Sequence, residues 1–85
     1  MTTYEPDPVA AEIAAILRGY RARLGLNQAE LAAATGIDQS HWSALERGKR
    51  AMTIDQMAAA CRLMNLSMEQ VMDEAERSVI RSQEG

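Results

Sequence analysis

The sequence predicts an all-α fold, a compact bundle of five helices, and three observations predict it. The apolar content is 47%, yet there is no Phe, one Trp and two Tyr, so the core must be built from Ala, Leu, Ile and Met. Such side chains favour helices, while strand-forming Val, Thr and aromatics are scarce. Apolar residues also recur at helical spacing, in segments that open on residues able to cap a helix.

Asp7-Pro8 reads as an N-cap followed by a first helical residue. Val9, Ile13, Ile16, Leu17, Tyr20 and Leu24 then fall on one helical face, and Gly25 ends that helix. Asn27 caps a short second helix, Glu30 completes a capping box, and Gly36 stops it. Asp38 caps a third helix, with Ile37 and Trp42 placed as a hydrophobic staple, and Gly48 ends it. Lys49 to Met52 is a polar loop. Thr53 with Gln56 opens a fourth helix, from about Ile54 to Met64, and Ser67 with Gln70 opens a fifth that runs to about Ser82. On the fifth, Met68, Met72, Ala75 and Val79 form a stripe, and Met68, Val71 and Met72 are expected to close the core. The first few residues and Gln83 to Gly85 are expected to fray. All 85 residues read as one domain, with a core of about 8–74 and a helical extension or dimer contact at 75–82.

Several function classes are excluded by what the sequence lacks. No stretch approaches the ~18–20 apolar residues that span a membrane. The N-terminus carries Glu5 and Asp7 and lacks the basic-then-apolar order of a secretory signal. Cys61 is alone, so no internal disulfide is expected; on a face with Met57, Ala58 and Met64 it reads as a buried, reduced core thiol in a cytoplasmic protein. His41 has no second ligand at metal spacing. With no metal cluster, nucleophile–base pair or phosphate-binding Gly loop, the chain is not expected to be an enzyme. No cofactor, metal, membrane partner or small-molecule ligand is expected either.

Net charge is −3, but its distribution is uneven. From Arg18 to Arg50 the chain is net +3, and the remainder is net −6. A basic end facing nucleic acid and an acidic end facing away would reconcile binding with the overall sign. Non-specific affinity should be weakened, because it depends on phosphate neutralisation.

The informative stretch is Gln28 to Glu46. Two short helices joined by a tight turn need specific residues: Leu31 facing the core, a small Ala32 where the helices cross, Gly36 at the positive φ of the turn, and Ile37, Trp42 and Leu45 anchoring the second helix. All are present, which identifies a helix-turn-helix. With Trp42 and Leu45 inward, Gln39, Ser40, Ser43, Ala44 and Arg47 share the opposite face. Gln39 can pair bidentately with adenine, Ser40 and Ser43 can bond to several base edges, and Ala44 can touch a thymine methyl. The helix starts at Gln28 and Gln39 are expected to offer free backbone N–H groups to phosphates.

The stretch LGLNQAELAAATGIDQSHWSALERGK, Leu24 to Lys49, resembles the phage repressor and Cro type of helix-turn-helix, also called the xenobiotic-response-element type. The resemblance extends over roughly Ile13 to Met72 and implies a lambda-repressor-like bundle whose third helix reads bases. It implies a homodimer bound to a near-palindromic operator in double-stranded DNA, with a cytoplasmic location, nucleoid-associated when bound. Residue by residue, Gln28 resembles a phosphate-holding Gln and Gln39 a base-reading one. Arg21 and Glu46 resemble a partly buried ion pair, and Lys49 and Arg50 resemble loop groups near the DNA backbone. Arg47 and His41 join the expected backbone contacts, and Ala75, Val79 and Ile80 the expected dimer contact. Trp42 stands where Ile or Val is usual, and Ala51-Met52 where Asn-Pro is common.

The function expected is a sequence-specific transcriptional regulator, a repressor such as a phage or prophage regulator or an antitoxin, with a regulatory protein partner possible. At this length no separate ligand-binding or autocleavage domain is expected. The rival reading is a protein-interaction module on the same scaffold, motivated by the negative total charge and the Ser/Ala-rich reading face.

Overall fold

A computed structural model describes residues 5–84. It contains the helices α1 (Pro8–Arg23), α2 (Gln28–Thr35), α3 (Gln39–Glu46), α4 (Ile54–Leu63) and α5 (Met68–Glu84), and no strand among the described residues. This is the five-helix, all-α bundle the sequence predicts. No helix among the described residues is long and apolar enough to cross a membrane.

The helices begin where local chemistry dictates. The Asp7 carboxylate accepts the Val9 N–H at 2.9 Å, with Pro8 in the first turn, where its missing N–H costs nothing. Asn27 with Glu30 and Thr53 with Gln56 form reciprocal capping boxes at 2.8–3.0 Å. The Ser67 hydroxyl accepts the Gln70 N–H at 3.3 Å.

The ends of α1 to α4 share one device. At Gly36 the backbone turns left-handed (φ 72°), so the Ile37 N–H reaches the Ala32 carbonyl at 3.0 Å and closes α2. Gly25 and Gly48 close α1 and α3 in the same way. Asn65 (φ 56°) closes α4, its successor Leu66 donating to Cys61 at 2.8 Å. Asn tolerates this region better than other residues with a Cβ, and its role as a stop signal was not anticipated from the sequence.

The core joins Leu17 of α1, Leu31 and Ala32 of α2, Trp42 and Leu45 of α3, Met57, Ala60, Cys61 and Met64 at α4, and Val71 of α5. Cys61 is buried, and burial pushes its thiol pKa up. α2 packs on both α3 and α4, and its small Ala32 side chain is buried, 3% exposed. The most extensive helix contact is that of α1 with α5. Along it Tyr20 Oη donates to Glu74 at 2.9 Å and Ser78 Oγ donates to Glu12 at 3.0 Å. The hydrogen bond it donates to the Glu74 carboxylate holds the Tyr20 phenol above its usual pKa.

Four expectations are corrected here. Leu24 is exposed, because α1 ends at Arg23 and the chain turns, so Leu26 packs on the core instead. Met72 is exposed, whereas Ala75, expected at a dimer contact, is fully buried in the chain. The face of α5 turned inward is that of Val71 and Ala75, and the small Ala75 side chain suits close approach. Gln83 and Glu84, expected to fray, are helical; the fraying expected of the first four residues and Gly85 lies outside the described residues.

Candidate nucleic-acid interface

The centre of the site is a buried carboxylate. Glu46, at the end of α3, is 2% exposed and accepts four hydrogen bonds. Arg21 binds it through Nε at 2.6 Å and Nη2 at 3.1 Å, the paired geometry a guanidinium offers a carboxylate. Gln28 Nε2 donates at 3.0 Å and Trp42 Nε1 at 2.6 Å. Arg21 also donates through Nη1 to the Leu26 carbonyl at 2.8 Å. One carboxylate therefore ties α1, the first turn of α2 and α3 together, and so fixes how α3 is presented.

Burial alone would push the Glu46 carboxyl pKa up. The hydrogen bonds from Arg21, Gln28 and Trp42 outweigh it and hold the group below its ordinary range. The resemblance had suggested the Arg21–Glu46 pair. The bonds from Gln28 and Trp42 were missed, although Trp42 and Glu46 are four apart on one helix and a buried indole N–H requires an acceptor.

Opposite this buried face, α3 contributes to an open concavity lined by Gln28, Asp38, Gln39, Ser40 and Ser43. Four of the residues expected at the DNA surface thus converge. Gln39 and Ser40 are exposed, and Ser43, Ala44 and His41 are half-buried. Arg47 and Lys49 are exposed at the far end of α3, Arg47 Nε donating to the Ser43 carbonyl at 3.3 Å. Arg50, also exposed, lines a different hollow, with Leu45, Met52 and Ile54.

The hydrogen bonding refines two of these roles. Ser40 donates its hydroxyl proton to Asp38, which leaves the oxygen only as an acceptor for an outside partner. Gln28 commits one amide N–H to Glu46, leaving its second N–H and its carbonyl for an outside partner.

The helix starts are less open than expected. The Ser40 N–H donates to the Asp38 carboxylate at 3.1 Å, and the Glu30 N–H to Asn27 at 2.8 Å. These donors are used within the chain because both helices carry strong N-caps. The bonds from the Ser40 hydroxyl and the Ser40 and His41 backbone keep the Asp38 carboxyl below its usual range.

The helix-turn-helix domain family matches residues 12–75, three quarters of the chain. The chain belongs to the helix-turn-helix domain family. Two crystal structures of the clp gene regulator ClgR from Corynebacterium glutamicum are similar to it. One is 32% identical, covers 95% of this chain and 87% of its own, and superposes with a TM-score of 0.79. The other is 34% identical, covering 87% and 95%, with a TM-score of 0.75. The restriction-modification controller protein C.Esp1396I shares the fold at 17% identity and a TM-score of 0.76, covering 89% of this chain and 99% of its own. It is also known as a tetramer in complex with its natural 35 base-pair operator, in which form the TM-score is 0.75 at 17% identity, covering 88% of this chain and 99% of its own. Comparison with curated proteins gives no match.

Proposed function

We propose that this helix-turn-helix protein is a transcriptional regulator of the phage repressor and Cro type. It binds double-stranded DNA sequence-specifically as a homodimer, acts as a repressor, and works by binding rather than catalysis. The observation that carries this reading is the two-sided construction of α3. Trp42, Leu45 and Glu46 are locked into the bundle, while Gln39, Ser40 and Ser43 face an open concavity shared with Gln28. A helix fixed on one side and polar on the other is what major-groove readout requires. Two copies would place their α3 helices about 34–36 Å apart, one duplex turn. The similarity to ClgR, a gene regulator, supports the regulatory role.

In this reading Gln39 is the main base reader, with Ser40, Ser43 and Ala44 beside it. Gln28, His41, Arg47, Lys49 and Arg50 contact the backbone. With one long side chain on the reading face, DNA shape and bridging water supply part of the selectivity.

The test is selection from a pool of duplex fragments, followed by gel shifts over a salt series. A DNA reader selects a site and shows a log–log salt slope of roughly −4 to −8, for several phosphate contacts per subunit. Absence of any selected site at low salt, with binding to a protein instead, would sink the DNA reading. Replacing Gln39 by Ala is expected to relax preference at one base position, at a cost of ~1–3 kcal/mol there. Lys49→Ala should instead weaken all sequences alike and flatten the salt slope by about 1. If Gln39→Ala leaves the selected site unchanged, the reading face is misassigned.

A further inference from the structure

We propose that, within the DNA-binding reading above and resting on it, Asp38 sets the base preference at one position by holding the Ser40 hydroxyl as an acceptor, so that Ser40 takes adenine or cytosine and refuses guanine or thymine. Asp38 and Ser40 are both exposed and line the open concavity with Gln28, Gln39 and Ser43. Asp38 Oδ2 accepts twice from Ser40, from its backbone N–H at 3.1 Å and from its hydroxyl. The first bond caps α3. The second satisfies no backbone donor and adds nothing to the cap; what it fixes is where the hydroxyl proton points. The carboxylate decides the direction of that bond, because an ionised carboxylate has no proton to give and the hydroxyl must be the donor. The bonds it accepts hold the Asp38 carboxyl below its ordinary range, so it is ionised at neutral pH. Among the described residues no Arg or Lys side chain pairs with Asp38, so no cation draws the carboxylate away from Ser40.

In the major groove each base pair carries one amino donor, on adenine or on cytosine, while the keto oxygens of guanine and thymine are acceptors. A free serine hydroxyl rotates to suit either kind. With its proton spent on Asp38, the Ser40 oxygen gains a hydrogen bond from an amino group. Against a keto oxygen it meets a second acceptor, and two oxygens face each other with no proton between them. The outcome is a choice of strand orientation at one base pair: A or C on the strand that Ser40 faces, rather than G or T. Such discrimination comes from penalising the wrong base as much as from bonding the right one. Gln39 differs, because its amide offers a donor and an acceptor together. Asp38 is thus a positioning residue that acts through Ser40.

The experiment is selection from a pool of duplexes with a randomised stretch, using the full chain as wild type, Ser40→Ala, Asp38→Asn and the double variant, with helical circular dichroism as the check on folding. The position served by Ser40 is the one whose preference is lost in Ser40→Ala. There the wild type should favour A or C over G or T by about tenfold, in the range for one mismatched base pair. Asparagine caps a helix about as well as aspartate, but its amide can accept from the hydroxyl or donate to it. Asp38→Asn should therefore lower that ratio below about threefold at this position alone, and the double variant should match Ser40→Ala there. An Asp38→Asn protein that keeps the wild-type preference while weakening every sequence alike overturns the inference, since Asp38 is then a cap and nothing more. A wild-type preference for G or T at that position, or a Ser40→Ala protein with an unchanged site, overturns it as well. If Asp38→Asn does not fold, Ser40→Ala against the wild type still decides between amino and keto bases. In all these cases a site is selected and the DNA-binding reading stands. A wild type that selects no site overturns both.

Discussion

Glu46→Ala is expected to cost ~3–5 kcal/mol of stability, the range for breaking a buried ion pair by removing one partner. Four donors lose their acceptor at once: Nε and Nη2 of Arg21, Nε2 of Gln28 and Nε1 of Trp42. Water can recover the Gln28 amide, which is half-buried, but the Trp42 indole is fully buried and cannot turn to solvent. Arg21→Ala should fall in the same range, because it leaves a carboxylate at 2% exposure with neutral donors only. A chain of this length has roughly 4–13 kcal/mol in total, so either variant removes a large share.

The pH dependence has a definite sign. The Glu46 pKa is lower in the folded chain than in the unfolded one, where a Glu titrates near 4.3. Its contribution is therefore complete above about pH 5 and is lost as pH falls through the folded value. Guanidinium unfolding at pH 7 and pH 3, followed by the fluorescence of the single tryptophan, should show this loss in the wild type and a shallower one in Glu46→Gln. A Glu46→Ala midpoint indistinguishable from wild type would mean that the carboxylate does not hold the helices together.

The difference between what was legible in the sequence and what was not is physical. Helix starts were legible because a cap is a local event: Asp7, Asn27, Asp38 and Thr53 each bond to a backbone N–H two or three residues on. The core positions of α2 and α3 were legible because a tight turn between short helices leaves little choice at Leu31, Ala32, Trp42 and Leu45. The rotation of α5 was harder. Its polar and apolar residues separate well, but Ala75 contributes little hydrophobic signal and is nonetheless the residue at the contact. Met72, with a stronger signal, lies at the rim. The Glu46 network was legible only as a pair, through the family resemblance, because its members are far apart in sequence. That Gln28 would spend an amide proton inward follows from where three helices converge, which no spacing encodes. The same holds for Ser40, which in sequence reads as able to bond to several base edges and whose hydroxyl proton is taken by Asp38 in the fold.

Trp42→Ala should be as damaging as loss of the carboxylate, at ~3–5 kcal/mol. Trp42 is the largest of the fully buried side chains and is itself completely buried in the core. It carries two roles, filling the space beneath α3 and donating to Glu46 at 2.6 Å, and two substitutions separate them. Alanine removes both, leaving a cavity that the surrounding helices can close only in part. Phenylalanine keeps most of the apolar volume and removes the N–H. The Glu46 oxygen it served still accepts from Arg21 Nε, so Trp42→Phe should lose ~1.5–3 kcal/mol, the net worth of one hydrogen bond to a charged group. Both variants lack the fluorescent reporter, so unfolding is followed by circular dichroism at the helical band. If packing dominates, the phenylalanine midpoint lies much nearer the wild type than the alanine one. If phenylalanine is as destabilised as alanine, the indole proton matters more than the volume. The Glu46 network, rather than the apolar core, would then set the position of α3.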